Sequence, residues 1–213
     1  MTLPSPRLPK LLNPLTPDDI ETHETYAHCL IERANFSGRD LPHLSLEQSR
    51  LVRAVFHLAK LPSLRLLDCR LEQCDFSGAD LEKTSLRRVE FSGCRLNAAG
   101  LVEGIIEDAS LVKCTSEKAV YAWAVFKNVR FVECNFSGAS FAGADLRGAL
   151  FERCNLSQAD FTEARLAGAD LRTSLLNGLR VNAAALQGAI ITPVQAVQVV
   201  SLLGVEVREN EEE

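Results

Sequence analysis

Residues 134–148 read Cys134-Asn135-Phe136-Ser137-Gly138-Ala139-Ser140-Phe141-Ala142-Gly143-Ala144-Asp145-Leu146-Arg147-Gly148. A small apolar residue is followed two places later by a large one, and two places after that by glycine. The unit then starts again, so the period is five. Five matches neither the 3.6 of an α-helix nor the 2 of a flat strand.

The same phase runs far beyond this stretch. FSG recurs at Phe36, Phe76, Phe91 and Phe136, always at multiples of five. Of the 34 positions taken in steps of five from Tyr26 to Ile191, 33 carry Phe, Leu, Ile, Val or Tyr, and Ser116 is the exception. All ten phenylalanines fall in this slot. The slot two residues earlier, from Cys29 to Ala189, holds 16 Ala and all 7 Cys in 33 positions. Asp or Asn often precedes the large residue, as at Asn35, Asp40, Asp75, Asp80, Asn135, Asp145, Asn155, Asp160 and Asp170. Gly is frequent two residues after it.

One large and one small apolar residue in every five require a chain that turns every five residues and points both inward. The other three residues face out or make the corner, where Gly, Asp, Asn and Ser suit turn geometry. Cys74, Cys94, Cys114, Cys134 and Cys154 are each twenty apart, as are Phe36, Phe56 and Phe76. Each set therefore stacks in a column if four five-residue sides close one coil.

This pattern resembles the pentapeptide-repeat family, whose motif A(D/N)LxX has clear copies at Ala79-Asp80-Leu81, Ala144-Asp145-Leu146, Ala159-Asp160-Phe161 and Ala169-Asp170-Leu171. The resemblance implies an all-β fold, a right-handed quadrilateral parallel β-helix. About eight coils at ~4.8 Å each make a rod ~40 Å long. Arg39 in the small slot and Ser116 in the large slot depart from the motif. The Asp/Asn signature also fades between residues 100 and 130, where bulging is expected.

The expected organisation has four parts. Residues 1–23 read as a flexible Pro-rich arm, with Thr16-Pro17-Asp18-Asp19 suited to start a short helix. Residues 24–191 form the β-helix. Residues 192–207 form a cap, in which Thr192-Pro193 starts a helix, Gly204 stops it and Val205-Glu206-Val207 adds a short strand. Residues 208–213 read as a disordered acidic tail. The prolines at 4, 6, 9, 14 and 17, with Arg7 and Lys10 among the leucines, argue against a signal peptide. No stretch approaches the ~20 apolar residues of a membrane span. A cytoplasmic protein is expected.

Nothing in the pattern points to catalysis or to a cofactor. The cysteines occupy a core slot and read as reduced filler. His23, His28, His43 and His57 form no ligand cluster, so no metal site is expected. No phosphate loop or nucleophile elbow occurs, and the repeat's Asp residues read as corner residues.

Two apolar sets remain. Val102, Val120, Ala122 and Trp123, with Ile105 and Val125 on the adjacent face, occupy outward slots. They form either a contact surface or a patch that a local bulge folds back onto the chain. The C-terminal helix is apolar nearly all round, with Val194, Val197, Val199, Val200, Leu202 and Leu203. It is read either as a lid on the last coil or, as the resemblance implies, as a two-fold dimer contact.

Function follows two readings. The first is a non-enzymatic, partner-binding scaffold that touches neither nucleic acid nor membrane. The alternative comes from the family resemblance. Some members are acidic rods that mimic duplex DNA, occupy the saddle of gyrase or topoisomerase IV, and give bacteria resistance to quinolones or toxins. That reading needs a strongly negative lateral surface. Residues 26–191 hold 19 Asp plus Glu against 20 Lys plus Arg, a net +1, and the termini carry −6, which gives the overall −5. Duplex DNA carries one charge per ~1.7 Å, and a neutral rod matches its shape but not its field.

Overall fold

In the computed structural model, which describes residues 3–208, the backbone pairs each residue with the one twenty positions on. Ten strands take part: β1 (Asn13–Pro14), β2 (Thr25–Ala27), β3 (Cys29–Glu32), β4 (Ser45–Glu47), β5 (Arg50–Val52), β6 (Arg65–Glu72), β7 (Ser85–Ser92), β8 (Ile105–Val112), β9 (Val125–Val132) and β10 (Leu150–Glu152). All pair in parallel. Single bridges complete the other sides, as in the series Asn35, Val55, Asp75, Arg95, Thr115, Asn135, Asn155, Leu175. The result is a parallel β-solenoid of four five-residue sides and about seven turns, against the eight expected. Residues 183–188 make an irregular turn closed by Leu186 N–H to the Asn182 carbonyl, after which Ile190 rejoins the ladder beside Asp170.

The corners explain the glycines. Every non-glycine residue with positive φ lies two places after the large slot, from His23 to Glu163, and nine glycines share that slot. All corners from His23 to Gly168 thus pass through the left-handed region, which costs ~1–2 kcal/mol per non-glycine residue. The ladder and the packed interior must override that cost.

The Asp/Asn slot braces the same corners. Asp75 Oδ1 accepts the Ser77 N–H at 2.9 Å, and Asn35, Asp80, Asn135, Asp145, Asn155, Asp160 and Asp170 repeat the contact. Asp40 does not, because Pro42 stands where the donor would be.

Inside, equal slots stack. Phe36, Phe56 and Phe76 lie parallel with centroids 4.7 and 4.8 Å apart; Tyr121, Phe141 and Phe161 repeat this at 4.9 and 5.0 Å. All seven cysteines are buried and free. Most point their thiols at carbonyls, as Cys94 Sγ does to Leu71 O at 3.5 Å. Burial pushes the Cys69 thiol up to about 12, so it stays protonated and unreactive at neutral pH.

The ends differ from the sequence expectation in two ways. Residues 3–15 are not a free arm. Asn13 and Leu15 donate to the carbonyls of His28 and Leu30 at 2.7 and 2.9 Å, which adds β1 to the open edge of the first coil. Arg7 N–H donates to Asp68 Oδ1 at 3.0 Å, and Arg88 grips that carboxylate at 2.7 and 2.6 Å. The Arg88 guanidinium holds the Asp68 carboxyl below its ordinary pKa.

Arg39, the misfit of the small slot, reaches the carbonyls of Pro17 and Ile20 beside a short 3-10 turn at Pro17–Asp19. At the other end α1 (Pro193–Leu202) starts at Thr192, as read from the sequence. Its Gln195 caps the Leu171 and Ser174 carbonyls at 2.8 Å each, and Val199 is buried on the core. Among the described residues no strand forms at 205–207, where the exposed chain meets no ladder edge and the one backbone bond is Val205 N–H to Val200 O. Of the expected tail, residues 209–213 lie outside the described residues.

The corner argument separates two glycines with equal room. A Cβ at Gly38 or at Gly100 meets nothing within 4 Å, but only Gly38 has positive φ, +66°. Gly38→Ala is expected to lower stability by about 1 kcal/mol, and Gly100→Ala to be neutral or raise it by about 0.5 kcal/mol. Urea unfolding of both variants checks the pair; an equal loss in both would refute it.

Candidate partner-binding surfaces

The central apolar residues lie on an unbroken ladder. Gly100, Val120 and Ser140 bridge in one column, and Ile105, Val125 and Asp145 in another. Trp123 N–H donates to Ala142 O at 2.9 Å, as Glu103 N–H does to Ala122 O at 3.0 Å. The expected bulge between 100 and 130 is absent, so nothing folds these side chains back. Ile105, Val120 and Trp123 are exposed, Trp123 by 57%, while Val102, Ala122 and Val125 are half-buried. Together they make one apolar strip across a corner of the rod.

The strip sits on a rigid base. The Trp123 indole lies over Gly143, where an added Cβ would come within 2.3 Å of the ring. Directly inward lies the fully buried Tyr121, whose hydroxyl is 2.8 Å from that of Ser116. This explains why a polar residue fills the large slot at Ser116: it satisfies a phenol that would otherwise be stranded in the core. Burial also pushes the Tyr121 pKa up. Sequence reasoning missed Ala142 and Gly143 as parts of the strip, because both are common repeat residues.

The second apolar surface is the C-terminal end. Val194, Val197, Leu202 and Leu203 are exposed there and Val200 is half-buried. Leu175, Ile190, Val205 and Val207 extend the exposed area. Leu175 and Ile190 occupy the slot that elsewhere prefers Asp or Asn, a signal already present in the sequence.

Lateral charges are cancelled across neighbouring coils. Arg50 meets Glu72 at 2.9 Å, Arg70 meets Glu90 at 2.8 Å and Arg130 meets Glu152 at 2.7 Å. Arg95 and Arg180 pair with the corner acids Asp75 and Asp160. Thirteen of the 19 acids of the repeat region lie within 4.0 Å of a basic nitrogen. Among the described residues no acidic stripe survives this pairing.

An open groove of about 570 Å³ borders α1 at Leu150, Glu152, Asp170, Arg172 and Thr192. Its charged residues are already paired, Glu152 with Arg130 and Asp170 with Arg172. Among the described residues no group of three or more His, Cys, Asp or Glu could hold a metal ion, and no helix is long and apolar enough to cross a membrane.

Comparison with known proteins gives a consistent family. The model described as "Pentapeptide repeat region" matches residues 84–161 and 104–186, and "Pentapeptide repeats (8 copies)" matches 65–99. No curated protein matches the sequence significantly. Among solved structures the chain is similar to HetL, a pentapeptide repeat protein involved in heterocyst differentiation regulation in the cyanobacterium Nostoc, at 23% identity and TM-score 0.52. That match covers 79% of this chain and 85% of HetL, and it supports the fold alone. Full-length QnrB1, a plasmid-mediated fluoroquinolone resistance protein, aligns at 18% identity and TM-score 0.37 over 85% of this chain and 100% of its own. A thylakoid-lumen pentapeptide repeat protein from Arabidopsis thaliana aligns at 21% and 0.32 over 60% and 75%.

The Ser116–Tyr121 pair gives a thermodynamic cycle beneath the strip. Ser116→Ala or Tyr121→Phe alone strands one buried hydroxyl and is expected to cost about 1–3 kcal/mol. The double variant removes both groups, so its loss should be smaller than the sum of the singles. Additive losses would disprove the coupling.

Proposed function

As the chain belongs to the pentapeptide-repeat family, we propose that it is a non-enzymatic scaffold that binds a protein partner through the strip centred on Trp123. The exposed indole, fixed on Gly143 and flanked by Val120, Val125 and Ile105, carries this reading. Rigid, central aromatic side chains are the kind that dominate interface energetics. The rod holds them without a flexible loop, so little ordering entropy is lost on binding. Seven free thiols favour a reducing, cytoplasmic setting.

Occupation of a type II topoisomerase's DNA saddle, with resistance to quinolones, is the competing reading. It needs an unpaired negative flank, and the paired charges of this rod argue against it. A gyrase supercoiling titration with and without a quinolone separates the two. The scaffold reading expects no inhibition and no drug protection at large excess, and micromolar inhibition would replace it. In the same preparation, Trp123→Ala should fold normally, and a partner captured by the wild type should be lost.

The C-terminal end supports self-association as a second contact. The exposed Val194 and Val197 flank Ser201 on the side of α1 opposite the buried Gln195 and Val199. A two-fold axis there would pair this stripe with its own copy. Sedimentation should show a dimer that Val197→Glu converts to a monomer; an unchanged mass would leave α1 as a lid.

A further inference from the structure

The outward side chains of the coil that carries Trp123 run, in order, Lys118, Val120, Ala122, Trp123, Val125, Lys127. The apolar strip is therefore bounded on both sides by a lysine, and both lysines are exposed.

These two differ from most cations of the rod. Fourteen of the 20 Lys and Arg residues between 26 and 191 pair with a carboxylate, Arg39 is bound to carbonyls and Arg53 to Gln73. Of the 20, only the side chains of Lys60, Arg65, Lys118 and Lys127 are left with neither an ion pair nor a hydrogen bond among the described residues. Two of these four flank the strip. Nearby acids are engaged elsewhere. Glu107, in register with Lys127, turns to Arg87 at 3.9 Å, and Glu117, beside Lys118, accepts Asn135 Nδ2–H at 2.7 Å. On a surface that otherwise neutralises itself, an apolar ridge keeps a free cation on each side.

We infer that this surface takes an acidic amphipathic helix, laid along the rod at the Trp123 corner. The inference rests on the strip being the partner-binding face and names the chemistry of its partner. The strip spans three coils, from Val102 and Ile105 through Trp123 to Ala142, or ~10 Å at ~4.8 Å per coil. That is about two helical turns at 5.4 Å pitch, and a helix ~10 Å wide covers the corner between the flanking lysines. Leu or Ile at i, i+3/i+4 and i+7 would rest in turn on Val102 and Ile105, on Trp123, and on Ala142. Glu or Asp on each border of that face would reach Lys118 and Lys127. Steering by such complementary charges sets specificity more than raw affinity.

Trp123 is the protein's only tryptophan, so its emission reports the site directly. The full chain is titrated with three synthetic Trp-free helical peptides that share one leucine face, bordered by Glu, by Gln or by Lys. The Glu-bordered peptide should shift the Trp123 emission to the blue and bind about tenfold tighter than the Gln peptide. That is the contribution of two exposed ion pairs. The Lys-bordered peptide should bind weakest, and the gaps should narrow as salt rises. The double variant Lys118→Glu/Lys127→Glu, with an unchanged melting profile, should reverse the order. Equal binding of all three peptides would overturn the acidic preference and leave the apolar surface standing. No emission change with any of them would overturn both.

Discussion

The rest of the structure depends on one constraint, the backbone ladder that fixes each residue over the one twenty places earlier. Once that register holds, every side chain meets its own slot in the next coil. Phenylalanines must then lie face to face at the coil spacing, an arrangement aromatic rings do not otherwise prefer. Five of the seven cysteines form one buried column. Outside, an arginine finds its carboxylate about twenty positions away, as Arg70 finds Glu90 and Arg88 finds Asp68. The ladder also holds 23 non-glycine residues in the left-handed region, which local preference alone would not.

The sequence made the solenoid readable because the core repeats with few interruptions. The phase, the twenty-residue coil, the stacked phenylalanines and the helix beginning at Thr192 all follow from spacing and capping chemistry. Features that depend on a single pair of residues were not readable. Ser116 looked like a defect, and only the buried phenol of Tyr121 five residues on gives it a purpose. Arg39 looked equally misplaced until the carbonyls of Pro17 and Ile20 appeared beside it. The arm looked loose because its prolines and leucines carry no period. What holds it is a strand edge and the Asp68 carboxylate, both supplied by distant parts of the chain.

The candidate site was half legible. Slot assignment alone placed Val102, Ile105, Val120, Trp123 and Val125 outward. It gave no view of whether the ladder stayed intact beneath them. Nor could it say which charges remained free, since pairing is decided by rotamers reaching across coils. The surface that results is uneven in a useful way: most of it is cross-linked by ion pairs, and one corner combines exposed apolar area with unmatched cations.

The five-residue side has a consequence for how such a chain can change length. An insertion or deletion that is not a multiple of five puts polar residues into the interior and destroys the core. A multiple of five preserves the core but turns everything beyond it by a quarter of a revolution, which carries the C-terminal end to a different side from Trp123. Only a change by a multiple of twenty leaves the faces aligned and merely alters the length of the rod. The two apolar surfaces are thus geared together, and their relative direction can change only in right-angle steps.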